Sequence, residues 1–232
     1  MTPSTLTAIA DGVFVDHAPV SILGMPLTST MTALRLADGG LVIHSPIVMS
    51  EARRAAIAAL GPVRHLYAPN LYHHLRLGEW LAAFPGAKVH APAGLRRKRP
   101  DLRIDRAHDG DDPEPDFAGV VDELHVDGFR LEETALYHRP SRTLVVADLI
   151  HNIGRPPHLW TRIYSGLMGF YGEVAISRMI RWAAFPDRGA ARRSVDQALA
   201  LPLDRIVVGH GAPVIDRPRE ALAAACAWLP PA

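Results

Sequence analysis

Ligand-type side chains stand at the ends of three short apolar runs that lie far apart in the chain. His73 and His74 follow RHLYAP, Asp148 ends TLVVAD, and His210 ends RIVVGH between Gly209 and Gly211. Imidazoles and a carboxylate arriving from distant segments are what a zinc, iron or manganese ion takes from a protein. Strand ends suit such a site, because the strand fixes the backbone while the loop exposes the side chain. Glycines on both sides of His210 let the backbone pass close to other groups or take positive φ. Asp148 follows mostly β-branched or apolar residues and would be costly to bury unpaired, whereas a divalent cation would neutralise it. Each position also has a plain structural reading: a hydrogen-bonded histidine at 210, a cap at 148, a polar loop at 73 and 74. Three such strand ends together favour one bound divalent metal ion.

The elements that must position these residues can be read from the same pattern. TAIADGVFVDH and TSTMTALRLADGGLVIHSP read as strands, with ADGG as a hairpin turn. Ser50 reads as the N-cap of a short helix, EARRAAIAALG, closed by Gly61. VRHLYAP (strand), LGEWLAAFPG (helix) and AKVHAP (strand) complete a β-α-β-α-β run, which favours an α/β layered fold. AGLRRKRPDLRIDRAHDGDDPEPDFAG reads as a solvated helix and loop, its basic part followed at once by an acidic one. DELHVDGF, LEETALYHRP and RTLVVADLIH return to strands, with a turn at Pro140 to Arg142. NIGRPPHLWTRIYSGLMGFYGEV reads as a Gly- and aromatic-rich connection. Helices are expected at Ala175 to Phe185, at Arg188 to Leu201 and from Arg217, with the strand LDRIVVGHG before the last.

The 232 residues suit one domain of ordinary to large size, or two small ones, with 48% hydrophobic and 21% charged residues, the balance of a globular protein with a substantial core. A formal net charge of +1 points to no strongly charged partner, so no nucleic acid is expected. The single cysteine, Cys226, excludes an internal disulfide and reads as a small buried hydrophobe. MTPSTLTAIADGVFV shows no basic segment before an apolar run, and no window nears the roughly 20 apolar residues that span a bilayer. No signal peptide, no membrane association and a cytoplasmic location are expected.

TALRLADGGLVIHSP, GFRLEETALYHRPSRTLVVADLI, IVVGHG and the PNLYHH segment together resemble the metallo-β-lactamase superfamily over nearly the whole chain. PNLYHHL…W looks in particular like a divergent, uncharacterised branch with a PN-x-x-HH pattern, one classed only as a domain of unknown function. The resemblance implies a four-layer αββα sandwich with two mixed β-sheets, formed by a single domain over residues 1–232. It also implies a divided metal site. The superfamily's first-site histidines fall on Pro69, Leu71 and Phe129, so that site is absent. The second-site ligands fall on His73, His74, Asp148 and His210, so that site looks complete with one Asp-to-His exchange. The aspartate usual near the first hairpin is replaced by His44 in VIHSP.

The implied protein is a mononuclear metal-dependent hydrolase of a small molecule, with zinc as the first choice of metal and iron or manganese as alternatives. Asp148 would be either ligand or general base. Four protein ligands would saturate tetrahedral zinc, so catalysis would need higher coordination or an unligated Asp148. Asn70, His151 and Asn152 are candidates for the substrate pocket, although Asn70 also reads as a turn-stabilising residue after Pro69. An iron-dependent redox or oxygen-active protein on the same scaffold, and a non-catalytic binding protein, are the other readings. The 152–175 insert implies an apolar lid, a homodimer contact or plain packing. His17, His65, His90, His108, His125, His138 and His158 read as ordinary surface or core residues.

Overall fold

Two long strands, β2 (Val13–Ile22) and β3 (Met25–Arg35), form a ladder running from Val13 opposite Leu34 to Ile22 opposite Met25. Leu23 and Gly24 close it as a two-residue turn with φ of 50° and 75°. Positive φ at both positions is the twist that such hairpins demand. The computed structural model describes residues 6–110 and 112–231. Residues 1–5, at the head of the stretch read as carrying no signal peptide, residue 111 of the acidic run and residue 232 lie outside the described residues.

β1 (Thr7–Ala10), β2, β3 and β4 (Leu41–His44) are antiparallel neighbours, and the expected turn at ADGG joins β3 to β4. β5 (Val63–Tyr67), β6 (Lys88–Ala91) and β7 (Arg106–Ala107) extend the same sheet in parallel from β4. The second sheet orders β11 (Arg205–Val207), β10 (Thr143–Val145), β9 (Thr134–His138) and β8 (Val121–His125), parallel only between β11 and β10. Both sheets are therefore mixed.

Helices cover the outer faces. α1 (Glu51–Leu60) starts where the Ser50 side chain accepts from the Arg53 N–H and ends at Gly61, as its capping residues require. With α2 (Leu77–Ala83) and α3 (Ala93–Lys98) it buries Ile57, Leu77, Trp80 and Leu95 against Ile43, Leu66 and Val89 of the first sheet. α6 (Arg188–Ala200) and α7 (Pro218–Ala225) lay Val195, Leu222 and the buried Cys226 on Leu144, Val146 and Ile206 of the second. Val13, Leu34, Tyr67, Leu136, Val145 and Val207 fill the space between the sheets. The result is the expected four-layer αββα sandwich.

Three readings of the sequence are refined. The charged 93–119 segment contributes the short edge strand β7 as well as α3. The 152–175 connection contains a helix, α4 (Leu159–Met168), capped by the His158 side chain. The helix expected at Ala175 to Phe185 is shorter, α5 (Arg178–Ala183). No helix among the described residues is long and apolar enough to cross a membrane.

The inner face of the parallel half is unusually polar. His44 lies opposite Tyr67, and Tyr67 opposite His90, so the three rings form one cross-strand row. Tyr67 stacks on His44, His90 and His108 at ring centroid distances of 6.0, 5.7 and 4.7 Å. Burial pushes the pKa values of His44, His90 and His108 down to about 3, 2 and 4. All three are neutral in the folded chain near pH 7.

An unfolded histidine takes up its proton near pH 6.5, whereas these three resist until well below it. The unfolded state therefore binds more protons across that window, and stability falls as pH falls from about 6.5 toward 4. Each histidine adds up to about 1.4 kcal/mol per pH unit to the slope. Melting temperatures between pH 7.5 and 5 should show this decline, and His44→Phe should make it shallower. An unchanged slope in His44→Phe would refute that assignment.

Candidate metal centre

His73 is carried by the loop after β5, and Asn70 shapes that loop. The Asn70 Oδ1 accepts the backbone N–H groups of Tyr72 and His73, both at 2.9 Å. Its Nδ2 donates to Asp148 Oδ2 at 2.9 Å and to Glu133 Oε2 at 3.0 Å. Asn70 is thus both the turn-former expected after Pro69 and a strut between the His73 loop and Asp148. His210 arrives through a gap that admits only glycine. A Cβ on Gly209 would lie 2.6 Å from the Ala147 carbonyl oxygen and 2.9 Å from the His73 ring. Gly211, at φ +102°, passes the Asn152 carbonyl so closely that a Cβ would collide with it.

These constraints bring His73, Asp148 and His210 together, with one ligand atom of each within 4.8 Å of the others. His73 Nε2 is 3.5 Å from Asp148 Oδ2, and His210 Nε2 is 3.6 Å from Asp148 Oδ1. Each imidazole is held by its remote nitrogen. His210 Nδ1 donates to the Thr28 carbonyl at 2.9 Å, which leaves the lone pair on Nε2 beside Asp148. His73 Nδ1 pairs with Ser45 Oγ, and Ser45 is one of few non-glycine residues at positive φ, 57°. Two imidazole nitrogens and one carboxylate oxygen with anchored remote nitrogens fit a zinc- or iron-type divalent ion.

The electrostatics agree with that fit. Burial opposes ionisation of Asp148, but the charge and contact of His73, with His210 and His151, hold its carboxyl well below the usual range. Burial likewise opposes protonation of His73, yet Asp148 and then Glu133 raise its pKa. His210 is lowered, by burial and by His73. The centre carries a deficit of positive charge that a cation would meet.

His74, expected as a ligand of the same ion, is not brought to this group. Its buried ring turns toward the basic end of α3, where Arg99 Nη1 lies 3.4 Å from its Nδ1. Burial, with Lys98 and Arg99, lowers its pKa to about 4. Adjacent histidines in an irregular loop project to different sides, and the sequence carries no signal of which one faces inward. The other expected residues divide as well. His151 lies beside the centre, its ring 5.8 Å from that of His210 and its buried Nδ1 without a hydrogen-bond partner. The Asn152 side chain instead donates to the Ala212 carbonyl at 2.9 Å and steadies the His210 loop. Of the positions of the superfamily's first metal site, Phe129 is stacked on Phe185 at 4.3 Å in the core.

Glu133 was not among the expected site residues. It is fully buried at the entry to β9, where Oε1 accepts from the N–H of Ala147 at 2.8 Å and of Leu149 at 3.3 Å. Oε2 accepts from the Asp148 N–H at 2.8 Å as well as from Asn70. Burial, then the Asp148 charge, raises its pKa, while these hydrogen bonds oppose the rise. No local pattern marks it, because Glu132 and Glu133 precede the strand and Glu132 stands at φ 52°.

No family model and no curated protein matches the chain. Solved structures do. A metallo-β-lactamase from Hirschia baltica superposes with a TM-score of 0.62 at 12% identity, covering 100% of both chains. A 1–254 fragment named as a diflavin flavoprotein from Nostoc sp. PCC 7120 gives 0.69 at 14%, covering 97% of this chain and 96% of that one. The Flv1 flavodiiron core from Synechocystis sp. PCC6803 gives 0.69 at 13%, covering 98% of this chain and 61% of that one. The chain has the metallo-β-lactamase fold. Identity at this level establishes architecture and leaves the activity to be argued from the site.

Because both Glu133 oxygens accept only from N–H donors, Glu133→Gln must set its amide NH2 against one of them. The substitution should cost about 1–3 kcal/mol in urea unfolding, the penalty for a buried donor without an acceptor. A variant within about 0.5 kcal/mol of the parent, the scatter of neutral surface changes, would show that Glu133 does not brace the Asp148 backbone.

Proposed function

We propose that the protein is a mononuclear metal-dependent hydrolase of a small molecule, its catalytic ion held by His73, Asp148 and His210. The observation that carries this reading is the count of clustered ligands. With His74 turned away, three protein donors remain, and two imidazoles with one carboxylate leave coordination positions open, as catalytic zinc sites do. An ion bound there would supply Lewis acidity and make water a better nucleophile near neutral pH.

The chain's own residues supply the rest. Asp148 acts as ligand, because Asn70 and the two histidines already orient both its oxygens. Ser45 and Thr28 keep the imidazoles in position. His151, whose pKa burial lowers to about 4, is neutral near pH 7 and lines the centre beside His210, its ring 5.8 Å from that of His210. Asp148 and His210 are 8% and 7% exposed, so only a small reacting group reaches them. We place the protein in the cytoplasm and give it no nucleic-acid or membrane partner. The exposed Leu159, Ile163 and Leu167 of α4 leave a homodimer contact open.

A redox role for iron is the second reading. Two histidines and one carboxylate are also the ligand set of non-haem iron(II) oxygenases. Iron retained from expression, with a spectrum that changes on exposure to oxygen, would select that reading over hydrolysis.

Elemental analysis tests the site itself. His73→Ala, Asp148→Ala and His210→Ala should each lose about one metal equivalent relative to the parent, whereas His74→Ala should lose none. Full retention in the first three, or loss in His74→Ala as well, would overturn the assignment. Zinc affinity should also fall with acidity, by about tenfold per pH unit below the raised pKa of His73, because the ion must displace that proton. Titrations between pH 8 and 5.5 read this slope, and a flat profile would remove His73 from the ligand set.

A further inference from the structure

Away from the strand-end centre, a second set of ligand-type side chains meets on the inner face of the parallel half. His65 of β5, His90 of β6 and Glu114 of the loop after β7 are all buried, with one ligand atom of each within 4.8 Å of the others. His65 lies opposite Lys88 and Tyr67 opposite His90, which puts the two histidines diagonally on one face. His65 Nδ1 and His90 Nε2 are 2.9 Å apart. Contact at that distance requires one nitrogen to present a lone pair, so at least one of the rings is neutral. His65 Nε2 is buried without a hydrogen bond and lies 3.3 Å from Asp116 Oδ2. His90 Nε2 lies 3.8 Å from Glu114 Oε2. The hydrolase reading uses none of these groups.

We propose that His65, His90 and Glu114 form a second, buried site for a zinc-type divalent cation, with Asp116 beside the remote Nε2 of His65. Two imidazoles and one carboxylate are a zinc donor set, and the burial of all three keeps the group away from substrate. The ion would clip segment 112–119 to β5 and β6. That segment turns through a 3-10 stretch, Pro115–Phe117, and Phe117 packs on the rings of His65 and His90 at 5.0 and 5.6 Å. A cavity of about 530 Å³, lined in part by Arg106, His108, Glu114 and Phe117, borders the group at Glu114.

Two cations bear on the site. Arg106 Nη1 lies 3.4 Å from His90 Nδ1, but its guanidinium is matched by Glu123 at 2.7 Å. Lys88 Nζ lies 2.6 Å from Glu114 Oε2 and is the group a metal must displace. Its side chain is 42% exposed, so the ammonium can swing into water while its stem stays packed.

The test uses a His73→Ala, His210→Ala background, which removes the first centre, stripped of metal and reloaded with zinc. About one equivalent should remain after dialysis, as for a buried three-donor site. His90→Gln and, as a check against misfolding of the buried change, Glu114→Gln should lose it while circular dichroism shows a folded chain. Lys88→Ala should bind zinc about tenfold more tightly, because the competing ammonium is gone. A Lys88–Glu114 pair that is only structural would instead lower the melting temperature in Lys88→Ala and leave zinc affinity unchanged. No retained zinc in the background, zinc surviving in folded Glu114→Gln, or unchanged affinity in Lys88→Ala would each overturn the site. Because the first centre is absent throughout, none of these outcomes bears on the hydrolase reading.

Discussion

The negative charge of Asp148 is the constraint around which the first centre is arranged. A carboxylate taken out of water costs several kcal/mol unless hydrogen bonds and opposite charge surround it. Here Asn70 donates to one oxygen, and His73 and His210 stand at 3.5 and 3.6 Å. A second buried carboxylate, Glu133, sits behind the first and would repel it in isolation. It is tolerated because three backbone N–H groups and Asn70 converge on it, and those same bonds fix the backbone of Ala147 to Leu149. Glu133 thus keeps Asp148 in place while making the region more negative, which increases the demand for a cation.

Close backbone approach then decides which residues can occupy the loops. The Gly209 N–H bonds to the Ala147 carbonyl at 3.1 Å, and the Gly209 carbonyl accepts the Thr30 N–H at 2.9 Å. One glycine therefore links the Asp148 segment to β3 of the opposite sheet while passing the His73 ring. Three of the contacts that orient the centre use main-chain atoms or turn geometry: Thr28 on His210, Asn70 on the His73 loop, and Gly211 against Asn152. Such a site depends on fold geometry more than on side-chain chemistry.

Much of this was legible in the sequence, and the rest was hidden for identifiable reasons. The hairpin at ADGG, the Ser50 cap, the β-α-β order and the strand-end placement of His73, Asp148 and His210 rest on local patterns that the fold preserves. The choice between His73 and His74 does not. It depends on the Asn70 hydrogen bonds that turn the loop and on the cations of α3 beside His74, contacts made across the chain. Glu133 was hidden because a charged residue next to Glu132 reads as solvated until the backbone N–H groups of Ala147 to Leu149 are seen to converge on it. β7 is two residues long, too short for periodicity to register, and α4 lies within a Gly-rich stretch that masks its apolar spacing.

The histidines set aside as ordinary core residues show why burial and chemistry must be weighed together. His44, His65, His90 and His108 line the interior of the parallel half, where a purely apolar face would pack as well without their hydrogen-bonding demands. Tyr67 makes the arrangement tolerable: its ring stacks on three of them, and its hydroxyl donates to Glu123 at 2.8 Å. The stacking satisfies ring faces but not ring nitrogens. His44 Nε2, His65 Nε2 and His108 Nδ1 remain buried without hydrogen bonds among the described residues. Core packing alone therefore does not account for this row, since each unsatisfied nitrogen weakens the fold by about 1–3 kcal/mol relative to an apolar side chain of similar shape. The row is better understood as polar capacity held in the sandwich interior. Its His65–His90 end, with Glu114 and Asp116 beside it, is where that capacity has carboxylates for company.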